Sequence, residues 1–202
     1  MINSHAEKML KRTKLPIIYW ETRLSKVSDC EGKKILTDWI MPMSKEGSGQ
    51  LPQKGLYIYG EFGRGKSAAA AIALKACLAK GKFGLWVNFS DICNFVKYED
   101  KYRYSENESM LDRMKTCELL VLDEFSITSK DWFPIQTFEM VVRDRVRNIK
   151  PLIITSNHSP SSLKKTDTTE QRKIAVQVEG LVSILQEAVS GCMITGKNWR
   201  KV

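Results

Sequence analysis

The octapeptide GEFGRGKS, which runs from Gly60 to Ser67, limits the possible folds of this chain more than any other short segment. It matches the pattern G-x-x-x-x-G-K-[ST], in which a glycine-rich turn wraps backbone N–H groups around a phosphate. Such a turn stands between a buried strand and the N-terminus of a helix, whose partial positive charge also favours an anion. Residues 56–59 read as the strand, and the alanine-rich segment that ends at Gly81 reads as the helix. The alternative, a purely structural glycine turn, is disfavoured by this placement.

Strands and helices continue to alternate along the rest of the chain. We predict further strands at residues 83–89, 119–122, 152–155 and 192–195, with helices at about residues 90–97, 108–117, 133–147 and 170–188. Repeated strand–helix units with apolar strands are typical of an α/β fold in which helices flank a parallel sheet. A length of 202 residues suits one domain with a sizeable core.

Composition limits the classes of partner. The formal net charge is +9, and residues 143–202 carry eleven Lys and Arg against five Asp and Glu. This excess favours a polyanion such as nucleic acid, although a modest excess also occurs in proteins that bind none. Five cysteines without a C-x-x-C pair, and only two histidines, favour reduced thiols over disulfides or a metal cluster. Because we find neither a membrane-length apolar run nor a signal-peptide core, we expect a cytoplasmic protein, of a cell or of its host, without membrane partners.

Two further motifs supply the side chains for nucleotide chemistry. The apolar strand in LLVLDEF ends in Asp123 and Glu124, at the sheet edge where the phosphate loop also lies. We expect Asp123 and Ser67 to hold Mg²⁺, Lys66 to reach the β- and γ-phosphates of ATP, and Glu124 to deprotonate the attacking water. In PLIITSNHS, Asn157 follows a strand and is expected to orient that water, unless it only serves a turn.

In this order and spacing the motifs resemble those of the DnaC/DnaI/IstB branch of AAA+ ATPases, which comprises helicase loaders and transposase helper ATPases. The resemblance covers about residues 15–200, beginning with KLPIIYWETRLSKV, which looks like the family's lead-in. DRVRNIKPLIITSN resembles the family segment "DRY…PTIITSN", placing Arg145 on its arginine and Asn157 on its sensor-1 position. GKNWR resembles the terminal "GxxYR", placing Arg200 on its arginine.

The resemblance implies an AAA+ P-loop domain over residues 15–202, with little or no separate lid domain, behind a short basic tail of residues 1–14. It implies a catalytic set of Glu124, Asn157 and Arg145, with Ser67 and Asp123 as metal ligands. The residues expected to contact the nucleotide are Gly60, Glu61, Phe62, Gly63, Arg64, Gly65, Lys66, Ser67, Ala68 and Arg200.

One departure from the family concerns its arginine finger, which normally lies about sixteen residues before the terminal arginine. This chain has LVSIL there, with Ser183, Ile184 and Leu185, and no arginine occurs between Arg172 and Arg200. An arginine finger supplies positive charge to a neighbouring subunit's γ-phosphate. Three possibilities remain open: hydrolysis is weak, another arginine substitutes (Arg143, Arg145 or Arg172), or a partner supplies the charge.

The resemblance further implies a helicase loader that binds ATP and single-stranded DNA, forms an ATP-dependent homo-oligomer and delivers a DnaB-like replicative helicase. An IstB-type transposition helper and an ATP-binding regulator with little hydrolysis are the alternatives. The short stretch before the ATPase module suits a phage or mobile-element protein. That stretch, MINSHAEKMLKR, reads either as an amphipathic helix that offers Met9 and Leu10 to a partner or as a solvated tail.

A candidate DNA contact is NFVKYEDKYRYSENES, which interleaves tyrosines with basic residues. The residues concerned are Tyr98, Tyr102 and Tyr104 with Lys97, Lys101 and Arg103. Equally, Phe95, Tyr98 and Tyr102 have helical spacing and suit a core.

Overall fold

In the computed structural model, the described residues are 4–44, 47–97, 108–126, 132–164 and 172–198. Five parallel strands form one sheet in the order β2-β3-β4-β1-β5. The strands are β1 (Gly55–Tyr59), β2 (Gly84–Asn88), β3 (Leu119–Phe125), β4 (Leu152–Ser156) and β5 (Val189–Met193). The predicted α/β fold with a parallel sheet is confirmed.

Helices cover both faces of the sheet. They are α1 (Ser4–Arg12), α2 (Glu31–Ile40), α3 (Lys66–Ala79), α4 (Ile92–Lys97), α5 (Met110–Thr116), α6 (Trp132–Arg147) and α7 (Arg172–Ala188). Apolar side chains of α1, α2 and α3 form a core with one face of the sheet, and those of α4 to α7 form a second core with the other. Because side chains alternate along a strand, Leu120 and Leu122 enter one core while Leu119 and Val121 enter the other.

Helix α3 follows the phosphate loop and packs along the middle of the sheet. Its alanines Ala69, Ala70, Ala71 and Ala73 have no exposed surface. Small side chains let the helix backbone approach the strands closely, and alanine also has the highest intrinsic helix propensity. The helix stops at Lys80, followed by Gly81 with φ of 70°, a conformation that suits glycine. The phosphate loop is thereby fixed to a helix that is largely buried.

The structure differs from the sequence-based prediction in one strand and one helix. The last strand is Val189–Met193 rather than residues 192–195, because it follows α7 directly and so begins earlier than the apolar run suggests. Helix α2 was not predicted, although Leu36 and Trp39 give its buried side a helical spacing.

The N-terminal segment is helical, as one of the two sequence-based interpretations expected, but its apolar side chains are not available to a partner. It forms helix α1, and Leu10 is only 7% exposed and packs into the core that α2 and α3 share with the sheet, with Met9 packed against the same core. The Thr13 carbonyl accepts a hydrogen bond from the Trp86 backbone N–H at 2.7 Å, which ties the segment to β2. Leu10 is therefore engaged by the domain itself and is not offered to a partner.

Candidate nucleotide site

The predicted site residues meet at the carboxyl edge of the sheet. Gly60 follows β1, Asn88 ends β2, Asp123 and Glu124 lie at the end of β3, and Asn157 follows β4. In open parallel sheets this edge is where ligands bind, because successive loops diverge there and leave a crevice. A cleft of about 340 Å³ lies at this edge. Among the residues that line it are Phe62, Gly63, Gly65, Lys66, Ser67, Ala68, Glu124, Thr155, Ser156 and Asn157.

The phosphate loop takes the shape that anion binding requires. Gly63 and Gly65 have φ of 75° and 92°, values at which a side chain would strain the backbone. Gly65 caps the N-terminus of α3, so the positive end of the helix points into the cleft. The Lys66 side chain is nearly buried, and its Nζ donates to the Glu61 carbonyl oxygen at 2.8 Å. A cation is thus held within the turn, as a phosphate site requires.

Asp123 is the centre of a buried hydrogen-bonded set. Its Oδ1 accepts from the Ser67 hydroxyl at 2.8 Å and from the Thr155 hydroxyl at 2.5 Å. Burial raises the pKa of Asp123, and the two hydroxyl donors partly oppose that rise. A carboxylate and a hydroxyl in contact at the end of an anion-binding loop are oxygen ligands of the kind that Mg²⁺ prefers.

Glu124 is turned toward the cleft by a bulge in β3. Leu122 pairs with Ile154 and Phe125 with Ser156, so β3 carries one more residue than β4 over this stretch. Glu124 has φ of 58°, which is strained for a residue with a side chain, and it is exposed. Its carboxylate therefore faces solvent beside the buried Asp123, which suits a group that must meet a water molecule.

Asn88 and Thr155 belong to this site although the sequence analysis did not single them out. The Asn88 side-chain amide donates to the Glu124 carboxylate at 2.9 Å. Thr155 Oγ1, besides donating to Asp123, accepts from the Glu124 backbone N–H at 3.0 Å, so one hydroxyl bridges the two acidic residues. Their signal in the sequence is a polar residue at or near the end of an apolar strand, next in the sheet to β3. That signal becomes informative once the strand order is known.

Three of the predicted nucleotide contacts, Gly60, Glu61 and Arg64, do not line the cleft. Arg64 instead donates to the Glu61 carboxylate, at 3.1 Å from Nε, and to the carbonyl oxygen of Gly196. A Cβ placed on Gly63 would lie 2.2 Å from Oδ1 of Asn198. The segment that follows β5 therefore passes over the phosphate loop, and Arg64 joins the two.

The prediction that Arg145 is a catalytic residue is wrong. Its side chain has no exposed surface, and its guanidinium donates to the carbonyl oxygens of Met114 (2.7 Å), Cys117 (3.0 Å) and Pro151 (2.6 Å). These residues precede β3 and β4, so Arg145 lies at the amino edge of the sheet, opposite the cleft. A side chain enclosed in this way cannot reach a phosphate in its own or a neighbouring subunit.

The segment expected to carry an arginine finger lies on α7. Leu185 is buried, Ile184 packs against the core and Ser183 is exposed. Among the other candidates, Arg143 is exposed and pairs with Glu139 one turn earlier on α6, at 2.7 Å. Arg172 begins α7, but its side chain is not described.

Several predicted residues lie outside the described part of the chain. Arg200 is among them. So are five residues of the candidate DNA contact: Tyr98, Lys101, Tyr102, Arg103 and Tyr104. Phe95 is described and is 4% exposed, in the core formed with α5 and α6, so it belongs to the fold. Within the described ranges no helix is long and apolar enough to cross a membrane, and no three or more His, Cys, Asp or Glu residues form a metal cluster.

Comparison with known proteins identifies the fold. A scan against protein families finds no match. The replicative helicase loader DnaI of Bacillus subtilis (strain 168) is 29% identical over 170 residues, which are 82% of this chain and 52% of DnaI. The chain therefore spans about half the length of that relative.

Solved structures of replication proteins superpose on most of the chain. A crystal structure of DnaI has a TM-score of 0.70 at 23% identity and covers 92% of this chain and 94% of its own. The DnaC helicase loader has a TM-score of 0.65 at 22% identity, over 89% of this chain and 100% of its own. AMPPCP-bound DnaA from Aquifex aeolicus has a TM-score of 0.64 at 18% identity and covers 92% of this chain and 54% of its own. The chain therefore shares the fold of these replication proteins and is similar in sequence to the helicase loader DnaI.

Proposed function

We propose that this chain is an ATPase that loads a replicative helicase, and that ATP and Mg²⁺ bind in the cleft at the carboxyl edge of the sheet. The observation that carries the proposal is the contact of Ser67 with Asp123, next to Glu124 and beneath the N-terminus of α3. A loop that binds phosphate, a pair of oxygen ligands and an exposed carboxylate are the parts that phosphoryl transfer needs.

The residues present fit a magnesium nucleotide. The positive φ values of Gly63 and Gly65 leave the inner side of the turn free of side chains, where backbone N–H groups can meet the phosphates. Lys66 would move its ammonium from the Glu61 carbonyl oxygen to the β- and γ-phosphates. Ser67 and Asp123 would hold Mg²⁺, which when bound offsets the negative charge of the phosphates.

Glu124 is the proposed general base. Its exposed carboxylate would take a proton from the attacking water, while the Asn157 side chain, across the cleft, would orient that water. The amide of Asn88 holds the Glu124 carboxylate in its present position, so Asn88 is proposed to determine when the base is available. Thr155 fixes the backbone from which Glu124 projects.

Hydrolysis by the isolated chain is expected to be slow. Arg145 is enclosed, and Ser183, Ile184 and Leu185 supply no cation where family members carry their arginine finger. We propose that the charge comes from a partner, or from Arg143 or Arg172 of a neighbouring copy in an ATP-dependent homo-oligomer. Ser183→Arg is the variant that should raise turnover, because Ser183 is exposed whereas Ile184 packs against the core.

The assignment as a helicase loader rests on the similarity to DnaI and DnaC. A DnaB-like replicative helicase is the proposed protein partner, and single-stranded DNA the proposed nucleic acid, as the excess of basic residues after residue 142 suggests. Binding to single-stranded DNA should weaken as the salt concentration rises. A plot of the logarithm of the binding constant against the logarithm of the salt concentration should have a slope near −0.7 for each phosphate contact. A slope near zero would remove DNA from the proposal. A transposition helper and a non-hydrolysing regulator remain the alternatives.

A two-variant experiment tests the site. Lys66→Ala should abolish tight MgATP binding in a fluorescent-nucleotide titration, whereas Lys34→Ala, an exposed lysine on α2, should leave the affinity unchanged. Glu124→Gln should keep ATP bound and stop hydrolysis, because an amide keeps the shape but cannot accept a proton. Native turnover by Glu124→Gln would show that the base lies elsewhere.

A loading assay tests the role. A purified DnaB-type helicase should be delivered to circular single-stranded DNA by the native chain with ATP, and not by Lys66→Ala. Loading that needs ATP binding but proceeds with Glu124→Gln would favour the regulator. Failure to load any such helicase, together with DNA remodelling in the presence of a transposase, would favour the transposition helper.

A further inference from the structure

The side of the cleft that faces the phosphate loop is formed by the chain between α1 and α2. Four residues of this segment line the cleft: Ile18, Tyr19, Lys26 and Val27. We call residues 17–27 the lead-in wall. The wall has little regular structure, consisting of two single-turn 3₁₀ helices, Ile17–Tyr19 and Leu24–Lys26. Its Ile18 side chain is 78% exposed beside the cleft.

A lysine of helix α3, Lys75, binds the middle of the lead-in wall. Lys75 lies on α3, and its Nζ donates to the carbonyl oxygens of Tyr19 and Trp20, each at 3.1 Å, and to that of Thr22. An ammonium group has three N–H donors, so the three carbonyl oxygens use all of them. Burial lowers the pKa of Lys75, with positively charged Arg23 as a second cause.

The two ends of the wall are held by other contacts. The Trp20 indole N–H donates to the Leu15 carbonyl oxygen at 2.9 Å. The Tyr19 ring packs against the Trp86 ring of β2, with 5.7 Å between the two ring centroids. Neither contact explains why the carbonyl oxygens of residues 19, 20 and 22 converge on one point. The cation of Lys75 does, because without it the oxygen ends of these three dipoles would face one another with no positive charge between them. The Tyr19 carbonyl oxygen also accepts the Thr22 backbone N–H at 3.2 Å, so the carbonyl groups of Trp20 and Thr22 depend most on Lys75.

Helix α3 thereby serves both parts of the cleft. Lys66 opens the helix at the phosphate loop, and Lys75, nine residues or about two and a half turns later, holds the opposite wall. Since the phosphates occupy the loop end, the lead-in wall is left to contact the nucleoside.

We propose that Lys75 is a positioning residue for the nucleoside half of the ligand: it fixes the lead-in wall against α3 so that Ile18 and Tyr19 meet the base. The proposal rests on the proposed function, because it assumes that the cleft takes a nucleoside triphosphate. It assigns Lys75 no contact with the phosphates.

The test separates the two halves of the ligand. Lys75→Met keeps the length of the side chain and removes its charge and donors. In titrations with magnesium, we expect it to weaken ATP and ADP binding about tenfold or more, and to leave the affinity for inorganic tripolyphosphate within about twofold of native. Lys66→Ala should weaken ATP and tripolyphosphate alike, and Lys34→Met should change neither.

Each outcome decides between distinct possibilities. Native ATP affinity in Lys75→Met, or an equal loss for ATP and tripolyphosphate, overturns the role of Lys75. If Lys75→Met does not fold, Ile18→Ala replaces it, because a side chain this exposed contributes little to the core; unchanged ATP affinity in Ile18→Ala overturns the inference. A native chain that binds tripolyphosphate as tightly as ATP also overturns it while preserving the phosphate site. A native chain that binds neither ligand refutes the proposed function instead.

Discussion

Removing the Arg145 side chain would leave the carbonyl oxygens of Met114, Cys117 and Pro151 without the donor that now satisfies them. Buried acceptors that lose their donor are costly, and this site would lose several at once. We expect Arg145→Ala to lower the free energy of unfolding by about 3 kcal/mol or more in urea titrations. The ATP affinity of the molecules that remain folded should stay native.

Arg143→Ala is the matched control for Arg145→Ala. It removes an exposed guanidinium from the same helix, where the pair with Glu139 contributes at most about 0.5 kcal/mol. A stable Arg145→Ala protein that binds ATP but no longer hydrolyses it would return Arg145 to the catalytic set.

Asp123 should make the stability of the free protein depend on pH in an unusual direction. Burial raises the pKa of this carboxyl group above that of an ordinary aspartate. In the pH range just above the ordinary value, the folded chain keeps a proton that the unfolded chain releases, so stability falls as pH rises toward the folded-state pKa. Asp123→Asn, whose amide oxygen can still accept from Ser67 and Thr155, should abolish this decline.

Urea unfolding of both proteins across the acidic to neutral range measures the difference. At neutral pH and without nucleotide, Asp123→Asn should be the more stable protein. With MgATP the order should reverse, because the ligand stabilises only the chain that binds it. A native protein whose stability rises through the same pH range, relative to Asp123→Asn, would contradict the direction of the pKa shift.

Sequence reasoning predicted the position of single residues where the residue type and its place in a motif agree. Lys66, Ser67, Asp123, Glu124 and Asn157 are brought together because each belongs to a short pattern at the end of an apolar strand. Arg145 also belonged to a pattern, but a basic residue on a helix gives no indication of whether it is exposed. Its burial depends on carbonyl groups that two separate segments, residues 114–118 and Pro151, bring to one place, and no local pattern contains that information.

Among the secondary-structure elements, α1 has the role that differs most between the sequence-based interpretation and the structure. Leu10 is 7% exposed, so Leu10→Ala should lower the free energy of unfolding of the whole domain by about 2–4 kcal/mol, as expected for a cavity in a core. Lys8→Ala, on the exposed side of the same helix, should have an effect within about 0.5 kcal/mol. Chemical denaturation followed by tryptophan fluorescence measures both.

A result in which Leu10→Ala keeps native stability and loses only affinity for a helicase would restore the interpretation of α1 as a partner-binding helix. The burial of Thr13, which has no exposed surface next to α1, argues that the helix is a fixed part of the domain.

All five strands were predicted, but the boundaries of β5 were not, for a physical reason. Strands β1 to β4 each contain a run of apolar residues, because helices cover them on both faces, and such runs are visible in the sequence. In β5, by contrast, Ser190, Gly191 and Met193 are exposed, so its sequence is not an apolar run. What makes it a strand is pairing with β1, more than 100 positions earlier in the chain, which is a property of the fold.

At the scale of the whole molecule, residues from both ends of the described chain meet at the phosphate loop. Gly196 has φ of 112°, and a Cβ there would lie 2.5 Å from that of Ser28. Gly196→Ala should therefore incur both backbone strain and a clash, lowering the free energy of unfolding by about 2–4 kcal/mol. It should also weaken MgATP binding, because the segment it displaces is joined to Arg64 of the loop.

Gly49→Ala is the matched control, since Gly49 has φ of 74° but nothing within 4 Å of the added Cβ. It should incur the backbone strain alone, about 1 kcal/mol, and keep native nucleotide affinity. Equal effects of the two alanines on unfolding would show that the contact between Gly196 and Ser28 is not a close one.

The passage of residues 194–198 over the phosphate loop has a consequence for the order of events during synthesis. The ribosome completes the loop, both acidic residues and Asn157 well before it reaches the segment that Arg64 holds. Until β5 has been synthesised, the backbone groups on one edge of β1 have no strand to pair with. A nascent chain would thus carry the proposed catalytic side chains before the segment that passes over the phosphate loop exists. If that segment completes the proposed nucleotide site, ATP should bind the polypeptide only after the segment has emerged from the ribosome.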